Sequence, residues 1–382
     1  MNHEGSTNIP SAAVFHRVVP DPHGAVMTRE MEGSDDLVLG VDIGGSKIAL
    51  GAVDPSGRIT VLHRHPTGGH REPEAIIDDL VGHIQALQEE LDTPPRGIGV
   101  GICGLVSADS GVVRHSPNLP RWADVPIKDR LQERLEFPVT VANDVEAVAL
   151  GEWSQTAGRG IDDLAVVFIG TGVGGGIVTG GRPLRGHLGY AAEVGHTTIM
   201  VDGRECHCGN LGCLEAYVGG WAIARRTREA VKRDPGGGAR LVEMAGGLDA
   251  IEAETVARAY ETGDGLAKRI VEETGHYLGA GLVGIVNSFN PQRLVLGGGV
   301  MEGIPKLLEI ARKHVHAFAL PGSTAELEMA AAELGAEAGV IGGAVLARKA
   351  LEAGLEASGR TPRAMTAPPP ASAPNPFQVG RK

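Results

Sequence analysis

Short apolar runs ending in glycine alternate along this chain with longer stretches of helical spacing. Leu37-Val-Leu-Gly-Val-Asp42 reads as a buried strand, and Ile48 to Val53 reads as its hairpin partner after Gly44-Gly45. Glu74 to Leu91 places Ile76, Ile77, Leu80, Ile84 and Leu87 on one helical face, with Pro73 near its start. Gly97 to Cys103 and Val139 to Val141 return to strand, and Asn143-Asp144 opens a helix running to about Trp153. A second set starts at Leu164-Ala-Val-Val-Phe-Ile-Gly170: a strand, a glycine loop from Thr171 to Gly176, then Ile177-Val178 returning. This repeats the first unit and predicts a duplicated α/β architecture with two glycine hairpins across a cleft. Helical patterns follow from Trp221 to Asn290. Leu294 to Val300 is a strand entering a glycine turn, and a last helix covers about Glu337 to Leu355.

Composition changes this picture only at the margins. A length of 382 residues allows two domains and a large core. The 57 glycines point to many tight loops and away from a plain helical bundle. Residues 1–36 mix Pro, Gly, His and charge without period, and residues 357–382 are rich in Pro, Ala and Ser; both read as disordered tails. The net charge of -12 disfavours nucleic acid as a partner. No apolar run has the length of a membrane span, and the first 36 residues lack the apolar stretch of a secretory signal. Cysteine usage fits a reducing cytoplasm, with Cys103 read as a buried structural thiol.

Three of the four cysteines fall in one short segment with a histidine: His196, Cys206, Cys208 and Cys213. This is a complete Cys3His shell for tetrahedral zinc. A disulfide would leave one of the three cysteines over, and a Cys-x-Cys pair bridges only with strain. Glu193 and Glu215 flank the ligands. They are either ordinary surface acids or, held by a metal-tied loop, acceptors for the hydroxyls of a polyol. His207, between two ligand cysteines, is expected to face solvent.

Asp42-Ile-Gly44-Gly45-Ser46-Lys47 ends a strand in a sharp turn. It is either a plain hairpin or an anion cradle of backbone N–H groups helped by Ser46 and Lys47, with Asp42 placed to hold a metal-bound water. The chain has no Walker-type G-x-x-x-x-G-K-[ST]. Gly170 to Gly176 has a G-x-G-x-x-G-like spacing, but the β-like Ile177-Val178 that follows argues against a dinucleotide fold and for a second phosphate-facing hairpin. Asn143-Asp144 either caps the next helix or presents a carboxylate able to take a proton from a substrate hydroxyl. Asn118, in the rigid loop Ser116 to Pro120, offers both donor and acceptor.

With these residues in order, the chain resembles the ROK family (repressors, open reading frames, sugar kinases), and most closely its bacterial glucokinase-type members. The resemblance covers about Leu37 to Leu355. It rests on Asp42 to Lys47, Pro117-Asn118-Leu119, Asn143-Asp144, Gly170 to Gly176, Glu193-Val-Gly-His196, the Cys206/Cys208/Cys213 cluster with Glu215, and Gly297-Gly-Gly299. It implies an actin-like (ribonuclease H-like) two-domain ATPase fold with a cleft between the domains. Residues 37–142 plus 338–356 would form the small α/β domain, and 143–337 the large one with the zinc loop.

The reaction implied is transfer of the γ-phosphoryl of MgATP to a hexose, glucose first, usually at the 6-hydroxyl. By the same resemblance Asp144 is the general base, and Gly104, Asn118, Asn143, Glu193, His196 and Glu215 surround the sugar, His196 also ligating structural Zn2+. Asp42, Gly44, Gly45, Ser46, Lys47, Thr171, Gly172 and Gly298 would line ATP and Mg2+. A cytoplasmic dimer or tetramer is expected, without nucleic acid or membrane partners. Three positions depart from the family pattern: Cys103-Gly104 replaces Pro-Gly, Ala192 replaces Gly, and Ser46 replaces Thr. N-acetylmannosamine and N-acetylglucosamine kinases share the zinc loop and both glutamates. Sugar-responsive repressors of the family carry an N-terminal winged helix-turn-helix, for which the irregular first 36 residues show no helical period or basic stripe. Polyphosphate-using relatives usually lack the cysteine cluster, which favours ATP.

Overall fold

The computed structural model describes residues 37–156 and 158–357. The tails expected at 1–36 and 357–382 lie outside the described residues, except Ala357 at the end of the last helix. No helix among the described residues is long and apolar enough to cross a membrane.

The first part of the chain forms β1 (Val38–Ile43), β2 (Lys47–Val53), β3 (Ile59–Pro66), helix α1 (Pro73–Glu89), β4 (Ile98–Ile102), β5 (Leu105–Val106), β6 (Val113–His115), β7 (Ala123–Val125), α2 (Ile127–Gln132) and β8 (Val139–Asn143). Five strands make one sheet in the order β3-β2-β1-β4-β8, and β5-β6-β7 make a small separate one. β1 and β2 are the expected hairpin, with Ile43 opposite Ile48. β4 and β8 run parallel to β1, which aligns Asp42 with Gly101 and Gly101 with Ala142. Their C-terminal ends therefore emerge on one edge, where an open parallel sheet offers a crevice. Apart from Asp42, β1 and β4 are apolar because both sheet faces are covered. The predicted stripe of α1 buries against one face. β3 escapes the apolar pattern because it is an edge strand, exposing Thr60 and Arg64.

The second part begins with α3 (Asp144–Gln155), β9 (Leu164–Ile169), β10 (Val173–Thr179) and β11 (Arg182–Pro183). It continues through α4 (Glu215–Val218), α5 (Gly220–Arg233), α6 (Pro235–Ala245), α7 (Ala253–Glu261) and α8 (Gly265–Phe289). It closes with β12 (Arg293–Gly297), α9 (Gly299–Gly303), α10 (Lys306–Phe318), α11 (Pro321–Thr324), β13 (Glu328–Ala331) and α12 (Ala338–Ala357). The second sheet has the order β11-β10-β9-β12-β13, again an antiparallel hairpin followed by parallel strands. The return strand starts at Val173, earlier than Ile177: Gly174, Gly175 and Gly176 pair in register with Phe168, Val167 and Val166. A Cβ at Gly174 or Gly176 would lie 2.5 Å from Val145 or 2.4 Å from Ala149 on α3, so the glycines let that helix lie close on the strand.

Two helices join the sheets. α3 packs on β10 and against α12, which covers β1 and β4 on the face away from α1. At the α3–α12 crossing a Cβ on Gly342 would fall 1.6 Å from the Ala147 carbonyl oxygen, and one on Gly151 would fall 2.6 Å from that of Ala338. The backbones touch there, leaving no room for a side chain.

Candidate active site

Asp42 is the last but one residue of β1 and Asp144 opens α3 directly after β8, so both carboxylates lie at the same C-terminal edge of the first sheet. Asn143 is the cap of α3: its Oδ1 accepts the N–H groups of Val145 at 2.8 Å and Glu146 at 3.1 Å. Its Nδ2 donates to the Gly104 carbonyl at 3.0 Å. Asp144 takes the Val145 N–H, at 3.0 Å, through Oδ1, and the Asn143 side chain bonds to the same carboxylate. Burial pushes Asp144 up to about 6, against its own backbone bonds and Asn143. Burial, reinforced by the charge of Asp144 and opposed by Lys47, pushes Asp42 up to about 7. Gly104 holds φ 128, and a Cβ there would lie 2.4 Å from the His115 carbonyl oxygen. Beside it Cys103 is the buried thiol the sequence suggested, 3.5 Å from Ser116 Oγ and pushed up to about 12 by burial.

Two hairpin tips adjoin the acidic residues: the first follows Asp42, and Gly172 of the second lies against Glu215. In the first, the Gly44 N–H donates to the Lys47 carbonyl at 3.0 Å, and Thr67 Oγ1 donates to the Gly44 carbonyl at 2.8 Å. Ser46 and Lys47 are exposed. The Ser116–Pro120 loop seats against this tip, since a Cβ on Gly45 would lie 2.7 Å from the Asn118 Cβ. In the second, the Gly170 N–H donates to the Gly172 carbonyl at 3.0 Å. Its outer side is held by α5, with the Gly220 N–H bonded to the Gly170 carbonyl at 2.9 Å. Trp221 N–H reaches the exposed Thr171 through its carbonyl at 3.3 Å. Gly298, at φ 92, lies against the end of β9, which brings the turn after β12 beside this tip.

The cysteine loop completes the site. Ligand atoms of His196, Cys206, Cys208 and Cys213 all lie within 4.8 Å of one another. Cys208 and Cys213 Sγ are 3.7 Å apart, and Cys206 Sγ lies 3.7 Å from His196 Nδ1. Tetrahedral zinc with ordinary Zn–S bonds asks for about 3.8 Å between sulfurs. The donor set fits that ion, with Nδ1 turned toward it and Nε2 left over. Burial pushes the Cys206 and Cys213 thiols up, so a divalent cation would have to supply the charge that makes thiolates of them.

Glu215 is buried, and both of its oxygens are engaged. Oε2 accepts the Val173 N–H at 2.9 Å, and Oε1 faces Trp221 Nε1 at 3.4 Å. Glu193 follows Ala192, a non-glycine residue at φ 68, a strained conformation. Burial holds Glu193 above the usual carboxylate range, with Asp144 and Glu215 reinforcing the shift and His196 opposing it. Asp42, Asp144, Glu193 and Glu215 are thus linked electrostatically around one cleft. His207 is exposed and stacks on Trp221, ring centroids 4.0 Å apart. Trp221 escaped the sequence reading because helical spacing alone accounts for it; its place after Gly219-Gly220, close behind Glu215, was the available signal.

Compared with known proteins, residues 38–350 match the ROK family. A glucokinase of Halalkalibacterium halodurans is 35% identical over 325 residues, covering 83% of this chain and 96% of the relative. A glucokinase of Streptomyces coelicolor is 34% identical over 315 residues, covering 82% and 98%. Among solved structures, a ROK family glucokinase from Streptomyces griseus in complex with glucose and AMPPNP aligns with TM-score 0.72 at 36% identity, covering 82% of this chain and 99% of that one. The two-lobed α/β architecture is the expected actin-like fold. The chain belongs to the ROK family.

Proposed function

We propose that the protein is an ATP-dependent hexose kinase that phosphorylates the 6-hydroxyl of glucose. The observation that carries this is Asp144: a carboxylate in the first turn of α3, coupled electrostatically to Asp42 just before the first glycine hairpin and to Glu193 of the Glu193, His196 and Glu215 group. Phosphoryl transfer asks the protein mainly for positioning, charge stabilisation and a base on the nucleophile. Asp144 takes the proton of the sugar hydroxyl, whose oxygen bonds to the γ-phosphorus as the β–γ bridging bond breaks and ADP leaves. With a pKa of about 6, Asp144 is ionised at neutral pH yet close enough to it to accept a proton.

Asn143, Asn118, Glu193 and His196 orient the ring hydroxyls in this reading, and Glu215 does so with what acceptor capacity its protein bonds leave. Gly44, Gly45, Ser46 and Lys47 on one side, with Thr171, Gly172 and Gly298 on the other, receive ATP. Two half-buried, mutually repelling carboxylates give the site an excess of negative charge that suits a divalent cation. Asp42 would hold Mg2+ through water, and the ion would supply charge for the phosphates. His196, Cys206, Cys208 and Cys213 would hold Zn2+, with all four positions filled by protein and none open for water, so the metal organises the loop. A cytoplasmic dimer or tetramer is the setting this reading implies.

The test is ADP release from MgATP against glucose, N-acetylmannosamine, N-acetylglucosamine, fructose and allose. Preference for glucose supports the proposal, and preference for an N-acetylhexosamine reassigns the acceptor. Silence across the panel with zinc and sugar still bound would point to a sugar sensor or to a kinase for a rarer sugar.

A further inference from the structure

Glu152 is a carboxylate with no place in the sequence reading. It lies on α3, eight residues after Asp144, about 12 Å along the helix axis. It is fully buried, at 0% exposure. Its Oε1 accepts the backbone N–H groups of Glu333 at 3.0 Å and Leu334 at 2.9 Å, and its Oε2 accepts the Thr156 hydroxyl at 2.5 Å. An acceptor-only group given this set of donors is satisfied without touching solvent.

The partners of Glu152 lead back to the cleft. Glu333 and Leu334 belong to the link between β13 and α12, and the Ala332 N–H ties that link to the Leu296 carbonyl of β12 at 2.8 Å. α12 starts four residues after Leu334. Its second residue, Gly339, lies directly on the Asp42 side chain, where a Cβ would come 2.5 Å from Cγ. One helix thus carries Asp144 at its start and grips, through Glu152, the segment that seats α12 against Asp42. The Gly342–Ala147 backbone contact lies between these points and leaves the crossing no slack.

We propose that Glu152 is a positioning residue for the reaction, clamping the start of α12 to α3 and so fixing Asp42 relative to Asp144 across the two sheets. It touches neither sugar nor nucleotide. This inference rests on the kinase reading above. Misplacing reacting groups by about 1 Å can cost on the order of a hundredfold in rate, and loosening a clamp should cost less.

The test compares Glu152→Gln, Thr156→Val and Asp144→Asn with the parent enzyme in kcat, both KM values, the pH profile of kcat and thermal melting. Glu152→Gln turns an acceptor into an NH2 group facing donors. It is expected to fold, to lose about tenfold in kcat with glucose KM little changed, and to shift the acidic limb of the pH profile. Thr156→Val removes one donor only and should move kcat and the acidic limb the same way by less. A lower melting temperature in Glu152→Gln with kcat and the acidic limb unchanged would make Glu152 a structural latch and overturn the proposal. Should Glu152→Gln fail to fold, unchanged kcat and acidic limb in Thr156→Val would overturn it equally. Asp144→Asn separates the two levels: retained turnover there removes the base assignment. Lost turnover there, beside an unaffected Glu152→Gln, removes only the clamp.

Discussion

The Glu215 carboxylate accepts the backbone N–H of Val173 at 2.9 Å, 42 residues earlier in the chain. A residue placed by its neighbours among the sugar ligands thereby also holds the first residue of β10, just past the hairpin tip read as a phosphate cradle. Gly172 confirms how close the two segments lie, since a Cβ there would be 2.5 Å from Glu215 Oε2. The cysteine loop and the second hairpin are one mechanical unit.

Glu215→Gln should therefore raise KM for ATP as well as for glucose. A hydrogen bond to a charged group contributes about 1.5–3 kcal/mol, which corresponds to about ten- to a hundredfold in binding where it is lost outright. Steady-state kinetics with each substrate varied in turn checks this. A rise confined to glucose would mean that the Val173 bond does not govern the hairpin.

Cys208→Ala removes a ligand from the Cys3His set and should abolish stoichiometric zinc. Metal binding and local folding are linked, so the loop carrying Glu215 should loosen and glucose affinity should fall with the metal. Metal content by atomic absorption, beside glucose titration calorimetry on the same protein, reads both. Unchanged glucose affinity in zinc-free protein would remove the organising role.

Much of this site was legible because its elements are locally encoded. Apolar runs ending in Gly44-Gly45 and Gly170 to Gly172 announced two hairpins, and the spacing of Cys206, Cys208 and Cys213 announced a ligand set. β3 was not legible, because an edge strand carrying His63, Arg64 and His65 lacks a continuous apolar signature. Gly174 to Gly176 read as loop because glycine has no strand preference, and only the approach of α3 explains them. Glu152 was invisible for another reason: a glutamate inside a helix reads as surface, and its backbone donors come from a segment some 180 residues away.

Asp144→Asn should fold, bind glucose and lose turnover by about a hundredfold or more, the range a positioned general base contributes. Asparagine keeps the Oδ1 acceptor for the Val145 N–H and removes a charge that burial disfavours. Calorimetry for glucose and single-turnover phosphoryl transfer test the two halves. Turnover near the parent rate would exclude Asp144 as the base.

Asp42 and Asp144 also set a pH dependence of stability whose sign is opposite to that of a salt-bridged carboxylate. Both are raised above the usual carboxylate range, to about 7 and about 6. Between the unfolded and folded values the native protein holds protons that the unfolded chain has released, so stability falls as pH rises through that window. The two groups repel one another, so the pair titrates jointly and not as two independent sites. Asp42→Asn removes one charge and should melt higher than the parent at about pH 8 without nucleotide or Mg2+, the difference closing toward about pH 4, where both parent carboxyls are neutral. The same variant should lose activity, because the charge that burdens the empty cleft is the one that would hold the cation. A melting-temperature difference that stayed constant across this pH range would mean that Asp42 ionises in the folded protein as freely as in the unfolded chain.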